Sequence, residues 1–234
     1  HGVLNLNKPP QMTSRQAVDG VKRLLNIRKA GHAGTLDPDA TGVLLICLGN
    51  ATKLFESLQS GTKEYEGTLT LGITTDTLDA SGQILKTEDT SGITPDQIRV
   101  VFQQFIGEIE QIVPMFSAAK HKGKRLYKLA RQGIQVERLP RTVLIESLEI
   151  LSIHIPEVRF RVVCSKGTYI RTLAADIGSA LGCGAHLSQL TRTRSGPFKI
   201  QDSYSFEHLE SQPVPPYHAV MPIEAVVETL NRQL

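Results

Sequence analysis

The sequence is poor in aromatic residues and in cysteine. Aromatic residues make up 5% of its 234 positions, and tryptophan is missing altogether. The three cysteines, Cys47, Cys164 and Cys183, form no Cys-x-x-Cys pair. An odd number without that spacing indicates neither a disulfide framework nor a zinc site. Because Cys47 and Cys164 lie in apolar runs, we expect both to fill the core.

Long apolar runs are also missing. The longest, Val43 to Leu48, is far shorter than the roughly 20 residues that a membrane span needs. No charged segment followed by an apolar leader precedes it. We therefore expect a cytoplasmic protein with no membrane partner. At 40% hydrophobic residues, the chain can bury a full core, either as one large domain or as two small ones.

The net charge of +3 is too small to indicate a nucleic-acid partner, but the distribution of charge is uneven. Between residues 120 and 141, one acid, Glu137, stands against eight bases. These are Lys120, Lys122, Lys124, Arg125, Lys128, Arg131, Arg138 and Arg141. Such a segment suits a phosphate-binding surface, although a basic helix face is often only solvated. A second cluster, Arg192, Arg194 and Lys199, favours the RNA-binding interpretation.

Hydrophobic patterning predicts a mixed α and β chain. In the first half it predicts a strand around Leu4 and Leu6, a helix capped by Thr13, a buried strand from Val43 to Leu48 and a strand opened by Tyr65. The second half shows the same kinds of pattern. We expect a helix after Thr94 that Gly107 ends, a strand pair between Val143 and Cys164, a helix after Thr168 that Gly182 closes, and a short helix from Ile223 to Leu230.

The segment from His32 to Leu45 places one carboxylate, Asp37, in a loop before the buried strand. Pro38 pushes Asp37 towards extended conformations. Gly31, Gly34 and Gly42 allow close backbone approaches that side chains would block. On its own, an Asp-Pro pair in a glycine-rich loop is typical of a plain turn.

Other parts of the chain change that interpretation. The segment 32–45 resembles the catalytic motif of the TruB-type pseudouridine synthases, which make pseudouridine in the T-loop of tRNA. Four further segments resemble motifs of the same family, in the same order: residues 2–14, 63–67, 75–82 and 167–176. Each short match is weak alone. Five ordered matches over about three-quarters of the chain make coincidence improbable.

The resemblance implies an α+β pseudouridine synthase fold, with a mixed, mainly antiparallel sheet, flanking helices and a central RNA-binding cleft. We expect residues 1–204 to form the catalytic domain, with a basic excursion from the sheet over about 107–141. Residues 205–234 then form a C-terminal extension. Bacterial relatives usually continue into a small PUA-like RNA-binding domain, which we expect to be absent or truncated here.

The resemblance also implies roles for individual residues. Asp37 is the catalytic carboxylate, and it acts on the sugar or on the base in a step that the sequence leaves open. Arg171 would pair with Asp37 and keep it ionised. The remaining substrate-binding candidates are Tyr65 as a stacking face for uracil, Tyr169, Leu190 as an apolar wall, His32 in the space left by the flipped nucleotide, Lys8 near the target backbone, and Asp79 near the RNA loop.

Two of these assignments have simpler alternatives. Asp79 could merely close an Asx turn, and a lone loop histidine such as His32 is more often structural than catalytic. The residues expected to contact the RNA backbone are Lys120, Lys122, Lys124, Arg125, Lys128, Arg131, Arg192 and Arg194.

The implied reaction is conversion of uridine to pseudouridine at position 55 of tRNA, by base flipping, cleavage of the glycosidic bond and rejoining through C5. It needs no cofactor or metal, and we expect a monomer with no obligate protein partner. Two alternatives stay open: the catalytic subunit of a guide-RNA-dependent synthase, and a non-catalytic tRNA-binding or tRNA-folding chaperone. Departures from the family pattern at Pro10-Gln11, Phe116 and Ala119 affect RNA contacts outside the proposed chemical core.

Overall fold

The computed structural model describes residues 1–212 and 215–232. Its strands, numbered in chain order, are β1 Gly2–Lys8, β2 Ala30–Ala33, β3 Thr41–Leu48, β4 Lys63–Leu71, β5 Ile73–Thr75, β6 Ile84–Thr87, β7 Gly107–Ile112, β8 Lys120–His121, β9 Lys124–Arg125, β10 Pro140–His154, β11 Glu157–Cys164, β12 Ala185–Ser195, β13 Phe198–Lys199 and β14 Val220–Pro222.

The α-helices are α1 Ser14–Leu24, α2 Phe55–Ser60, α3 Pro95–Gln103, α4 Leu126–Ala130, α5 Ile170–Ala180, α6 Phe206–Glu210 and α7 Ile223–Asn231. Short 3-10 helices cover Gly49–Leu54, Ile200–Asp202 and Tyr217–Ala219. No helix of the described residues is both long enough and apolar enough to cross a membrane.

The described chain forms two compact units. Unit 1 contains residues 1–65 and the described residues from 190 onward, and unit 2 contains residues 66–189. The chain passes from one unit to the other within β4 and within β12. Unit 1 is therefore built from two stretches of the sequence, and unit 2 from the single stretch between them.

Unit 1 is built around β1 and β3, which pair antiparallel from Gly2 opposite Leu48 to Lys8 opposite Gly42. Strands β14 and β2 add to them in antiparallel sense. The end of β12 runs parallel to the start of β3. The core of the unit consists of buried apolar side chains, several of them from these strands and from α7. They include Val3, Val43, Leu45, Cys47, Phe198 and Val226.

Unit 2 is built around the long antiparallel pair β10 and β11, and β7 pairs antiparallel with β10 on its other side. Unit 2 also contains two short hairpins, β5–β6 and β8–β9, together with residues 66–71 of β4 and 185–189 of β12. Helix α3 covers this sheet, where Phe102 meets Phe160 edge to face with ring centroids 6.2 Å apart. The mainly antiparallel α+β class is therefore confirmed. The predicted central cleft stays a prediction.

Most predicted elements are confirmed with small shifts at their ends. Thr13 and Thr94 both form complete capping boxes, with Gln16 and Gln97 as their partners. The helix after Thr94 ends at Gln103, with Gln104 as its cap, and Gly107, with a φ of +103°, begins strand β7. The excursion from the sheet is thus shorter than predicted. Residues 107–112 and 140–141 belong to paired strands, which leaves residues 113–139 outside the sheet.

The predicted C-terminal helix is confirmed as α7, and β14 before it pairs with β1. Val226 of α7 is completely buried in the core of unit 1. The described part of the segment after residue 204 is therefore packed into unit 1. Within the segment 205–234, residues 213–214 and 233–234 lie outside the described part of the chain.

Candidate active site

Asp37 lies in unit 1, in the segment that joins β2 to β3 and has no regular secondary structure. Its side chain is half-buried. Its carbonyl accepts a hydrogen bond from the Ala40 amide at 3.2 Å, and the next carbonyl, that of Pro38, accepts one from the Met12 amide at 3.2 Å. The backbone on the C-terminal side of Asp37 is therefore held by a tight turn and by a contact with the β1–α1 connection.

The peptide group before Asp37 is held by one buried hydroxyl. Ser14 Oγ donates to the Leu36 carbonyl at 2.9 Å and accepts from the Leu36 amide at 2.9 Å. Ser14 is the first residue of α1, and its side chain is buried. This contact fixes the loop to a helix that is itself capped by Thr13.

Lys8, at the end of β1, is 0% exposed. Its ammonium group donates to the carbonyls of Pro9 at 2.7 Å, Met12 at 2.7 Å and Pro38 at 2.8 Å. An ammonium group has three donors, so these bonds use all of them. Lys8 therefore lies inside the protein and holds the Asp37 loop, and its predicted position near the substrate backbone stays a prediction.

Burial lowers the pKa of Lys8 from 10.5 to about 8. The nearby carboxylates of Asp39 and Asp37 act in the opposite direction and favour the charged form, whereas the Arg192 guanidinium disfavours it. Desolvation is the largest of these effects, as expected for a cation surrounded by backbone. Lys8 thus contributes a positive charge close to Asp37.

Arg192 is the second buried cation at this loop and is 2% exposed. Its Nε donates to the Val43 carbonyl at 2.7 Å, and its two terminal nitrogens donate to the carbonyls of Thr35 at 3.5 Å and Gly34 at 3.1 Å. These carbonyls lie before and after Asp37 in the sequence. Arg192 therefore ties together the two ends of the loop, which corrects its prediction as an RNA-backbone contact.

The close approach of Arg192 to the loop requires a glycine at one of the three positions singled out in the sequence. Gly42 has a φ of +97°, and a Cβ there would lie 2.3 Å from the Arg192 carbonyl oxygen. Gly34 has a φ of +96°, and its Cβ position is 3.5 Å from the Arg192 guanidinium. Gly31 differs, since a Cβ there would meet nothing within 4 Å. The expected close approach is confirmed for Gly42 and is wrong for Gly31.

Unit 1 also carries Tyr65, His32 and Leu190. Tyr65 lies on β4 and is 8% exposed, whereas His32 on β2 and Leu190 on β12 are half-buried. Arg194, also on β12, donates to the Thr62 hydroxyl at 3.2 Å and forms an ion pair with Glu64 at 3.7 Å. Part of its charge is thus balanced within the protein. The predicted contacts of these residues with a flipped nucleotide stay predictions.

Arg171 lies in unit 2, in the first turn of α5, and is 5% exposed. Its two terminal nitrogens donate to the carbonyls of Thr77 and Phe116, both at 2.8 Å, and its Nε lies 3.7 Å from Asp79 Oδ2. A guanidinium held through all three of its nitrogens has a defined direction. Its predicted pairing with Asp37 stays a prediction.

Asp79 closes a local turn. Its Oδ1 accepts hydrogen bonds from the Ser81 amide at 3.0 Å, the Ser81 hydroxyl at 2.6 Å and the Thr77 hydroxyl at 2.6 Å. This is the Asx-turn alternative that the sequence left open. Together with its ion pair to Arg171, it shows Asp79 ordering its own loop.

Tyr169 precedes α5 and is positioned by Gln111 of β7. The Gln111 side chain accepts from the Tyr169 amide at 2.9 Å and donates to the Tyr169 carbonyl at 3.2 Å. Sequence reasoning missed this buried glutamine. A signal was present, because alternation along β7 places Gln111 on the same face as Ile109, opposite Glu108 and Glu110.

The basic excursion, residues 113–139, has a small core of Val113, Leu126 and Leu129, against which Tyr169 packs. Most of its cations are exposed, whereas Arg138 is half-buried and donates to the Val113 carbonyl at 3.2 Å. Those exposed are Lys120, Lys122, Lys124, Arg125, Lys128 and Arg131. Four of them, Lys120, Lys124, Arg125 and Lys128, line a surface depression of about 460 Å³. An open basic depression of this kind suits phosphate groups.

Comparison with known proteins places this fold and this loop in a class of enzymes, the pseudouridylate synthases. The model of the TruB family pseudouridylate synthase N-terminal domain matches residues 22–170, and that of the tRNA pseudouridylate synthase B C-terminal domain matches residues 171–228. The chain belongs to the TruB family. The two matches meet at residue 170, whereas the sequence pattern suggested a boundary after residue 204, which stays a prediction.

Close relatives carry the name tRNA pseudouridine synthase B. One from Alkaliphilus oremlandii is 51% identical over 90% of this chain and 70% of its own length. One from Aromatoleum aromaticum is 49% identical over 99% of this chain and 75% of its own length. One from Geobacillus kaustophilus is 52% identical over 89% of this chain and 76% of its own length.

A solved structure of a Cbf5–Nop10–Gar1 complex contains a similar chain, with a TM-score of 0.76 and 36% identity. The match covers 97% of this chain but only 62% of that one. A second, an H/ACA RNP bound to a substrate RNA containing 2′-deoxyuridine, gives a TM-score of 0.73 and 34% identity, and covers 97% of this chain and 61% of that one. The present chain thus spans about three-fifths of these solved chains.

Proposed function

We propose that this protein converts uridine to pseudouridine at position 55, in the T-loop of tRNA, with Asp37 as its essential carboxylate. The observation that carries the proposal is the Asp37 loop, which lies in the family match and is held by three buried side chains. The names of the three relatives, each about 50% identical to this chain, support tRNA as the substrate.

The reaction is an isomerisation, so every atom of the uridine is retained. The bond from N1 to C1′ breaks, the uracil turns, C5 bonds to C1′, and the proton on C5 is lost while N1 gains one. A carboxylate is ionised at neutral pH and needs no general base to act. Three first steps suit a fixed carboxylate: attack on C1′, addition to the base, or removal of the 2′ proton.

Other residues have supporting roles in this proposal. Tyr65 offers an aromatic face for the flipped uracil, and its phenol oxygen helps to remove the C5 proton at the end of the reaction. Arg171 acts as a counter-ion to the Asp37 carboxylate, with Tyr169 next to it in the sequence. Leu190 forms an apolar wall, and His32 fills the space that the extruded nucleotide leaves.

The basic excursion binds the backbone of the T-arm in this account. Its six exposed cations and their open depression provide the support. Arg194 remains a candidate for a phosphate contact, since it is partly exposed beside an open depression that it lines with Lys199. Lys8 and Arg192 are left out of this surface because their donors are used inside the protein.

A guide-RNA-dependent catalytic subunit is the second candidate, and the solved complexes of 34–36% identity are the observation that favours it. Identities of about 50% with proteins named for tRNA favour the stand-alone enzyme. The two differ in one requirement, since only the stand-alone enzyme acts without a guide RNA or partner proteins.

The proposal is tested by incubating the purified protein with an unmodified tRNA transcript, without guide RNA, nucleotide or partner protein. Because pseudouridine has the same mass as uridine, the RNA is first treated with a carbodiimide that stays attached to pseudouridine, and mass spectrometry of nuclease fragments then locates the label. We expect product at position 55 and none in a matched transcript that carries cytidine there. Product that forms only with a guide RNA would support the second candidate, and binding without product would support a non-catalytic tRNA chaperone.

A further inference from the structure

The two peptide groups that flank the Asp37 Cα are both hydrogen-bonded. The Leu36 carbonyl, which lies in the same plane as the Asp37 amide, accepts from Ser14 Oγ at 2.9 Å. The Asp37 carbonyl accepts from the Ala40 amide at 3.2 Å. Because each peptide group is planar, fixing both planes fixes the direction in which the Asp37 side chain leaves the backbone.

Ser14 makes two opposite contacts with one residue. Its hydroxyl donates to the Leu36 carbonyl and accepts from the Leu36 amide, both at 2.9 Å. A hydroxyl can do both at once, whereas an alanine can do neither. Ser14 is 3% exposed and Leu36 is also buried, so water has little access to replace the lost bonds.

Helix α1 gives Ser14 a rigid base. The helix starts with a complete capping box at Thr13 and buries Ala17, Val18 and Val21 in unit 1. Ser14 lies in its first turn, between the capping residue Thr13 and the buried residues of the helix. The Leu36 peptide is therefore anchored to a packed helix.

We propose that Ser14 is a positioning residue for the reaction, which holds the Leu36 peptide so that Asp37 meets the nucleotide in one orientation. This inference rests on the proposed role of Asp37. Ser14 does not itself touch the substrate. Its loss should therefore slow the chemical step more than it weakens tRNA binding.

The test compares single-turnover rates at saturating tRNA with tRNA dissociation constants. For Ser14→Ala we expect the rate to fall roughly 10- to 100-fold, as small misplacements of reacting groups do, while the dissociation constant stays within about threefold. Ser14→Thr keeps the hydroxyl and should recover most of the rate. Ser14→Cys fills the site with a weak hydrogen-bonding group and should be slow even if the alanine variant does not fold.

Ser195 provides a matched control in the same unit. It is 0% exposed, and its hydroxyl has no hydrogen-bond partner among the residues that the structure describes. Ser195→Ala removes a buried hydroxyl without breaking such a bond, so we expect a rate within about twofold of wild type. Melting temperatures of all variants show whether each one is folded at the assay temperature.

Three results would overturn the inference: an unchanged rate in Ser14→Ala and Ser14→Cys, an equal loss in Ser195→Ala, or a loss explained wholly by weaker tRNA binding. Failure of the proposed function looks different, because the wild-type protein would then make no pseudouridine. If wild type is active, Asp37→Asn is inactive and Ser14→Ala is fully active, the role of Asp37 stands and only the role of Ser14 is lost.

Discussion

The cations around the Asp37 loop and the cations of the basic excursion are the same residue types in opposite environments. Lys8 and Arg192 in unit 1 are buried, and backbone carbonyls take their donors. Lys122, Lys124 and Lys128 in unit 2 are exposed. A buried cation must be fully hydrogen-bonded to be tolerated, so the first group stabilises a loop, and the second is available to attract phosphate.

The largest effect should come from removing the cation that ties the loop ends together. Arg192→Met keeps much of the volume but removes the donors that the guanidinium supplies to the carbonyls of Gly34, Thr35 and Val43. We expect the free energy of unfolding to fall by about 4 kcal/mol, measured by urea denaturation at pH 7. The exposed counterpart Lys128→Met should change it by less than about 0.5 kcal/mol. Equal effects would show that buried and exposed cations contribute alike to stability.

The burial of Lys8 should make the stability of the protein depend on pH. Its pKa of about 8 in the folded protein lies below its ordinary value of 10.5. Between these pH values the unfolded chain binds more protons, so the free energy of unfolding should rise with pH by an amount on the order of 2 kcal/mol. Denaturation of wild type and of Lys8→Met across pH 8–10.5 isolates this group. A difference between them that is flat or falls with pH would contradict the assignment.

The smallest effect should come from the exposed cations, and it should appear in binding rather than in stability. Replacing Lys122, Lys124 and Lys128 together by glutamine should weaken tRNA binding about tenfold and reduce the salt slope of log K by about 2. Melting temperature should not change. The control removes three exposed cations outside the excursion: Arg15, Arg99 and Arg232. An equal loss in that control would show that the excursion has no special role.

Local patterns predicted the elements of this fold well. The capping boxes at Thr13 and Thr94 and the alternation along β4 and β11 depend on neighbours in the sequence, and the structure confirms those elements. Gly107 was misread as a helix end, because a glycine with positive φ serves equally to start a strand.

The candidate site was harder to predict because its support depends on burial. Lysine and arginine are mostly exposed, so nothing local distinguishes Arg192 from Arg194 two residues later. Only the parallel pairing of β12 with β3, which sets Arg192 opposite Gly42, places its guanidinium inside. Nothing in its neighbourhood singles out Ser14, since its partner Leu36 lies 22 residues away.

The central claim is that the Asp37 carboxylate carries out the reaction, and Asp37→Asn tests it most directly. This change keeps the size of the side chain and removes its charge. In single-turnover assays on unmodified tRNA we expect the rate to fall at least about a thousandfold, with tRNA affinity within about tenfold, or roughly 1.4 kcal/mol. Pseudouridine formation at a rate near that of wild type would contradict the account.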